Sequence, residues 1–277
     1  MKSQHIPMTI DEFHVMPRKL GWKHEYWDGQ AHITPSHSGV VTTTMTVQPR
    51  PVTPRCAVRS IREEDLPGLY TAYVAAFEDT IDYCDWQLAA IQRAAEETLA
   101  GYFAGQRGKP LAASQVAFDQ VEIIGAAFLV EKQDGQPFLD LLFVVPYWHR
   151  KGVATTLVGT ALNQLAAGYH TFTSRFWLGN EESRAWHHRF GFVDEPNQFL
   201  AGAYYRHAQY ELERDEILGH LTPAEREALV AEQAYWKQEK KRLEKEELAA
   251  MKALMYNGTT DVLTADDADE DNDQDDL

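Results

Sequence analysis

Apolar residues run from Phe138 to Val145 with only Asp140 interrupting, stop at Pro146, and resume at Val153, Leu157, Val158, Ala161, Leu162 and Leu165. The first run has the length of a buried strand, and the second has the spacing of one buried helical stripe. A strand, a turn and a helix are therefore predicted in that order. Upstream, Cys56 to Ile61 reads as a strand, Arg62 to Pro67 opens a helix toward Phe77, and a second helix covers about Asp85 to Phe103. Gln115 to Phe118 and Glu122 to Glu131 have strand length and pattern, and Asp134-Gly135 supplies a hairpin turn before Phe138. Downstream come a strand over Thr171 to Leu178, a helix after Asn180, and strands near Phe192 and over Ala208 to Glu213. Strands and helices interleave, so the fold class expected is α/β with three αβα layers around a mixed sheet.

Both flanks break this rhythm. Over the first fifty residues, Met8 to Phe13 reads as a short helix and Lys23 to Ile33 as a hairpin turning at Asp28-Gly29. Gln48-Pro-Arg-Pro-Val-Thr-Pro54 is proline-rich and reads as a linker or an edge crossing. At the other end, Thr222, Pro223 and Glu225 carry an N-cap, a proline at the first helical position and the glutamate of a capping box. A long helix should follow to about Met255. Leu229, Trp236, Leu243 and Ala250 repeat every seven residues, but the complementary heptad column is mostly Glu, Gln and Lys. An arm anchored through Tyr235 and Trp236 fits this better than a coiled coil, with a homodimer through the helix as the second reading. The expected division is 1–54 N-terminal hairpin and linker, 55–214 catalytic-type domain, 215–256 helical arm and 257–277 acidic tail.

The tail changes how the charge is read. Nine of the last seventeen residues are acidic and none is basic, so more than half of the net charge of −16 belongs to that block. Such a block cannot bury a core and is expected to be disordered. Hydrophobic residues make up 44% of the chain, enough for a sizeable core, and no apolar run approaches the ~20 residues of a membrane span. Two cysteines exclude a disulfide framework, and the N-terminus has no signal-peptide pattern, so a cytoplasmic location is the simplest expectation. No basic nucleic-acid surface is evident. His5, His14, His24, His32 and His37 crowd the N-terminal region without metal-ligand spacing, so no metal site is expected.

The candidate chemistry lies in the turn after Val145. His149, Arg150, Lys151 and Gly152 precede a helix N-terminus, where free backbone N–H groups and the helix dipole favour an anion such as pyrophosphate. His149-x-x-Gly152-x-Ala154 resembles the (Gln/Arg)-x-x-Gly-x-(Gly/Ala) signature of the GNAT superfamily of N-acetyltransferases, with Val144-x-Pro146 upstream. Asn180, Ser183, His187, Gly191 and Phe192 stand at the offsets of that family's Asn-x-x-Ala-x-x-x-Tyr-x-x-x-Gly-Phe element. The resemblance covers about Arg55 to Arg214. The N-terminal helix and hairpin are similar to the opening of Uma-type restriction-endonuclease-like proteins, but no nuclease metal motif follows them.

The GNAT resemblance implies a splayed central sheet, acetyl-CoA as co-substrate and an amine acceptor. Arg150, Gly152, Val153 and Ala154 would offer N–H groups to the pyrophosphate, with Lys151 and Thr155 adding charge and hydroxyl. The side chain of His149 stands where the family has Gln or Arg. The strand end at Val144 and Val145 would polarise the thioester carbonyl, and Asn180 would bind the pantetheine arm. His187 occupies the position of the family's tyrosine acid, and imidazole can do the same work near neutral pH. Asp140 is the candidate base, with Glu131 in reserve. Glu78, Asp79 and Asp82 lie in the loop that shapes the acceptor pocket and would suit a cationic amine, the plain alternative being helix capping near Asp82 or Asp85. A silent coenzyme-binding module is the other class of reading.

Overall fold

The computed structural model describes residues 2–36 and 39–260. In chain order the elements are β1 (Gln4–Pro7), α1 (Ile10–Val15), β2 (Trp22–Trp27), β3 (Gln30–Pro35), β4 (Val40–Thr46), β5 (Ala57–Ser60), α2 (Leu66–Phe77), α3 (Leu88–Phe103), β6 (Lys109–Pro110), β7 (Gln115–Asp119), β8 (Glu122–Glu131), β9 (Pro137–Val144), α4 (Val153–Leu165), β10 (Thr171–Trp177), α5 (Glu181–Phe190), β11 (Val193–Asp194), α6 (Gln198–Leu218) and α7 (Pro223–Thr260). They fall into two compact units, 1–195 and 196–277. His37 and the tail from residue 261 lie outside the described residues.

The first unit has the expected mixed α/β architecture. Its main sheet runs in the order β11-β4-β10-β9-β8-β7-β5, with β6 paired to β8. One face buries Leu139, Leu157, Leu162, Phe172 and Phe190 against α4 and α5. The other buries Leu69, Leu99, Phe128, Phe138 and Phe143 against α2 and α3. Neighbouring strands are antiparallel except β9 and β10, which are parallel and joined by an α4 crossover, as a parallel pair requires.

One strand expectation fails, and one strand appears that the sequence reading did not assign. Ala208 to Glu213 is not a strand: it lies inside α6, where Gln209 bonds Glu213 and Arg214 pairs with Glu211 at helical spacing. The antiparallel neighbour of β10 comes from the N-terminal segment. β4 pairs with β10 over seven residues, from Thr46↔Thr171 to Val40↔Trp177, and β11 pairs with the other side of β4. Its β-branched sequence Val-Val-Thr-Thr-Thr-Met-Thr suits a strand, and Val41, Thr43 and Met45 face inward. The segment 1–54 thus puts a strand inside the main sheet.

The hairpin forms as read, with β2 and β3 turning at Asp28-Gly29, and β1 adds a third strand. This small sheet docks on the body where β10 ends. Gly21 and Gly179 pass so closely that a Cβ on Gly21 would sit 2.2 Å from the Gly179 nitrogen. The Trp22 indole donates to the Gly179 carbonyl at 3.2 Å. Beside it, the Ser3 amide and hydroxyl donate to Asp85, after the acceptor-side loop.

The second unit holds α6 and α7. Thr222 and Glu225 form the capping box, with mutual bonds of 2.7–3.3 Å. Trp236 stacks on Tyr204 of α6 with ring centroids 4.7 Å apart, while Tyr235 is exposed. Asp215 joins the two helices by accepting from the Leu221 amide and the Arg226 guanidinium.

Candidate active site

Strands β9 and β10 pair at only two positions, Thr173↔Phe138 and Ser174↔Leu139, and then diverge. The gap between them is part of an open cleft of about 1320 Å³ that runs from the α2 side of the sheet to the α4–α5 side. Just past β9 the Val145 amide donates to the Ile124 carbonyl of β8 at 2.9 Å. Amides alternate sides along a strand, so those of Val144 and Leu142 point toward the diverged β10. The Val144 amide is therefore aimed at the gap, and that of Val145 is consumed by the sheet.

After β9 the chain makes one 3-10 turn, Pro146–Trp148, and reaches Gly152 with φ +81 as the N-cap of α4. That left-handed conformation suits glycine. The first intrahelical bond runs from the Thr156 amide to the Gly152 carbonyl at 2.9 Å. Val153, Ala154 and Thr155 therefore offer amides with no intrahelical acceptor, and Gly152 to Thr155 all line the cleft. The loop's basic side chains have contacts of their own, although His149 and Arg150 also line the cleft. The His149 imidazole Nε2 is 2.8 Å from the Val144 carbonyl, Arg150 pairs with Glu182 at 3.4 Å, and the Lys151 ammonium lies over the Tyr147 ring at 3.6 Å.

Across the cleft, Asn180 caps α5 by accepting the Ser183 amide at 3.0 Å, which leaves its Nδ2 as the group able to reach a ligand. His187 is only 3% exposed. Its Nδ1 lies 2.8 Å from the Ser183 carbonyl, which requires a proton on Nδ1, so Nε2 accepts from the Ser174 hydroxyl at 2.9 Å. Burial pushes its pKa down to about 4. At neutral pH His187 is a neutral imidazole with no proton on the nitrogen facing Ser174, which does not equip it as the expected acid.

Asp140 lines the cleft, but its carboxylate pairs with Arg107 and lies 3.8 Å from Lys132. Its oxygens are directed at those cations, a geometry unlike that of an open base. Glu131 accepts from Tyr169 at 2.6 Å and from Lys109, and the tyrosine bond above all holds its pKa below the usual carboxylate value. Of the acidic loop, Asp82 lines the cleft, while Glu78 and Asp79 lie outside its lining. Beside Asp82, the hydroxyls of Tyr73 and Tyr83 meet at 2.6 Å, and burial raises both pKa values.

Several cleft residues escaped the sequence reading. Ser174 is a polar residue at the buried parity of β10, a signal the alternation of Thr171 to Trp177 does carry. Tyr83 sits among the acidic residues singled out. Arg50 and Arg55 lie in the proline-rich segment, where spacing gives no hint of a site. Among the described residues, no group of three His, Cys, Asp or Glu is placed to hold a metal ion, and no helix is long and apolar enough to cross a membrane.

Residues 66–192, a little under half of the chain, match the model of the acetyltransferase (GNAT) family. The matching segment, which is similar to that family, contains the splayed strands, the anion loop and α5. No curated protein gives a significant match. Similar solved structures include a Drosophila protein (16% identity over 56% of this chain and 47% of that one, TM-score 0.35). Two others are a GCN5-related N-acetyltransferase from Rhodopseudomonas palustris (28%, 43% and 69%, TM-score 0.32) and the ribosomal-protein-S18-alanine N-acetyltransferase from Escherichia coli (18%, 50% and 79%, TM-score 0.38). The chain spans about half the length of the Drosophila protein.

Proposed function

We propose that the domain transfers an acetyl group from acetyl-CoA to a primary amine by direct attack. The observation that carries this reading is the divergence of β9 and β10 after two paired residues, which opens a passage through the sheet beside unbonded helix amides. The α4 amides of Val153, Ala154 and Thr155 suit the diphosphate of the donor. Asn180 Nδ2 suits its amide-bearing arm. The Val144 amide is aimed where the thioester oxygen gains charge as the amine adds. The amine enters from the α2 side, where Asp82, Phe77 and Tyr83 favour a cationic group before it loses its first proton to water in the open cleft. When the tetrahedral adduct collapses, the C–S bond breaks and the thiolate takes up the remaining proton from nitrogen, leaving an amide and free thiol.

In this reading His187 holds Ser174 and the first turns of α5 in place, and Asp140 fixes Arg107 and Lys132 at the acceptor end. Both engagements also favour a second reading, a module that binds the coenzyme without turnover. Calorimetry with acetyl-CoA followed by thiol release with a panel of primary amines separates the two. Binding with thiol release supports transfer, binding without release supports the silent module, and absence of binding by the folded protein overturns both. Gly152→Asp, which puts a carboxylate at the anion loop, should abolish binding.

A further inference from the structure

The segment between β4 and β5 lies as a strap along α4, inside the cleft wall. The Asn163 carboxamide bonds both the N–H and the carbonyl of Arg50, at 2.8 and 3.0 Å. Val52 fills the space over Gly159, where an added Cβ would come within 2.8 Å of it. The Arg55 amide donates to Thr156 Oγ1 at 3.2 Å. Three attachments over six residues fix the strap backbone and deliver Arg55 to the anion loop. Its Cγ lies 3.0 Å from where a Cβ on Gly152 would be.

The loop's own basic side chains have partners, His149 with Val144, Arg150 with Glu182 and Lys151 with Tyr147, whereas the Arg55 guanidinium has no ion pair or hydrogen bond among the described residues. An unpaired guanidinium in a cleft, on a stem beside Gly152 where the helix amides that lack acceptors begin, matches a phosphoryl group, which it can bind bidentately. In a chain of net charge −16 that placement is selective for an anion at this point of the surface.

We propose that Arg55, carried on the strap, supplies the side-chain cation that binds the diphosphate of the donor over the N-terminal amides of α4. This rests on the acyl-donor reading above. Arg50 is held by its own bond to the Phe190 carbonyl at 2.7 Å and serves to anchor the strap between α4 and α5.

The test is calorimetry of wild type, Arg55→Ala and Arg55→Lys with two probes, acetyl-CoA and inorganic pyrophosphate, each protein first checked for an unchanged thermal melt. Arg55→Ala should weaken both ligands about tenfold, and Arg55→Lys should recover part of the loss. Binding of both ligands by Arg55→Ala at wild-type strength would overturn the assignment. Pyrophosphate binding that depends on Arg55, together with failure of wild type to bind acetyl-CoA, would keep Arg55 as an anion ligand and overturn the donor reading instead. A wild type that binds neither probe would overturn both.

Discussion

His187 shows how much a single environment decides. The motif places it at the family's acid position, yet burial between Phe176, Trp186 and Phe192 leaves it a neutral hydrogen-bond bridge from Ser174 to Ser183. Its pKa of about 4 in the fold lies below the ordinary value of 6.5, so the unfolded chain binds the proton more readily. The stability it contributes is complete above pH 6.5 and is lost as pH falls toward 4, by roughly 3 kcal/mol across that window. Urea melts of wild type at pH 7 and pH 5 should therefore differ, and His187→Ala should flatten that part of the pH dependence while lowering stability at pH 7 by about 2 kcal/mol. If the variant kept the wild-type pH slope, His187 would not be the group responsible. The motif spacing was legible at this residue, but its protonation state depends on burial against rings such as Phe176, which lies on a different element.

At the scale of elements, the contact between the small N-terminal sheet and the end of β10 makes the sharpest prediction. Gly21 has φ +78, and its missing Cβ is what lets the backbone of Gly179 approach. Gly21→Ala should cost about 3 kcal/mol, combining left-handed strain with a clash against backbone that cannot rotate away. A thermal melt within a degree of wild type would show that the two sheets are not held by this contact. The elements built on long periodic runs, α3, β8, β9 and α4, were readable because one face of each is continuously apolar. Ala208 to Glu213 misled because six alternating residues are too few to separate a strand from a helix whose buried positions, Ala208 and Asp215, are seven apart. The β-branched run of β4 carried a strand signal of its own. Nothing local, however, reveals that its partner is β10, because the pairing is fixed by burial on a distant face.

For the whole molecule, the consequence is where the chain can be divided. A boundary at residue 55, natural from composition and from the extent of the motifs, removes β4 and leaves the inner edge of β10 and all of β11 without a partner. The fragment 1–195 keeps the compact first unit intact. It should unfold in one cooperative transition, whereas 55–195 should aggregate or bind a hydrophobic dye, since it exposes an unpaired, partly apolar strand edge. Calorimetric scans of the two fragments check this, and equal cooperativity would make β4 an ornament on a self-sufficient domain. The strap belongs to the same argument: the segment that reads as a spacer is attached to α4 at three points.

The position of β4 also sets an order of events during synthesis. Val40–Thr46 is translated before its partner Thr171–Trp177, which emerges about 130 residues later. At elongation rates of about 5–20 residues per second that interval lasts of order ten seconds, during which a β-branched strand waits without its partner. Closure of the sheet is then a long-range event whose loop entropy is lost before any contact rewards it, a topology that folds slowly for its size.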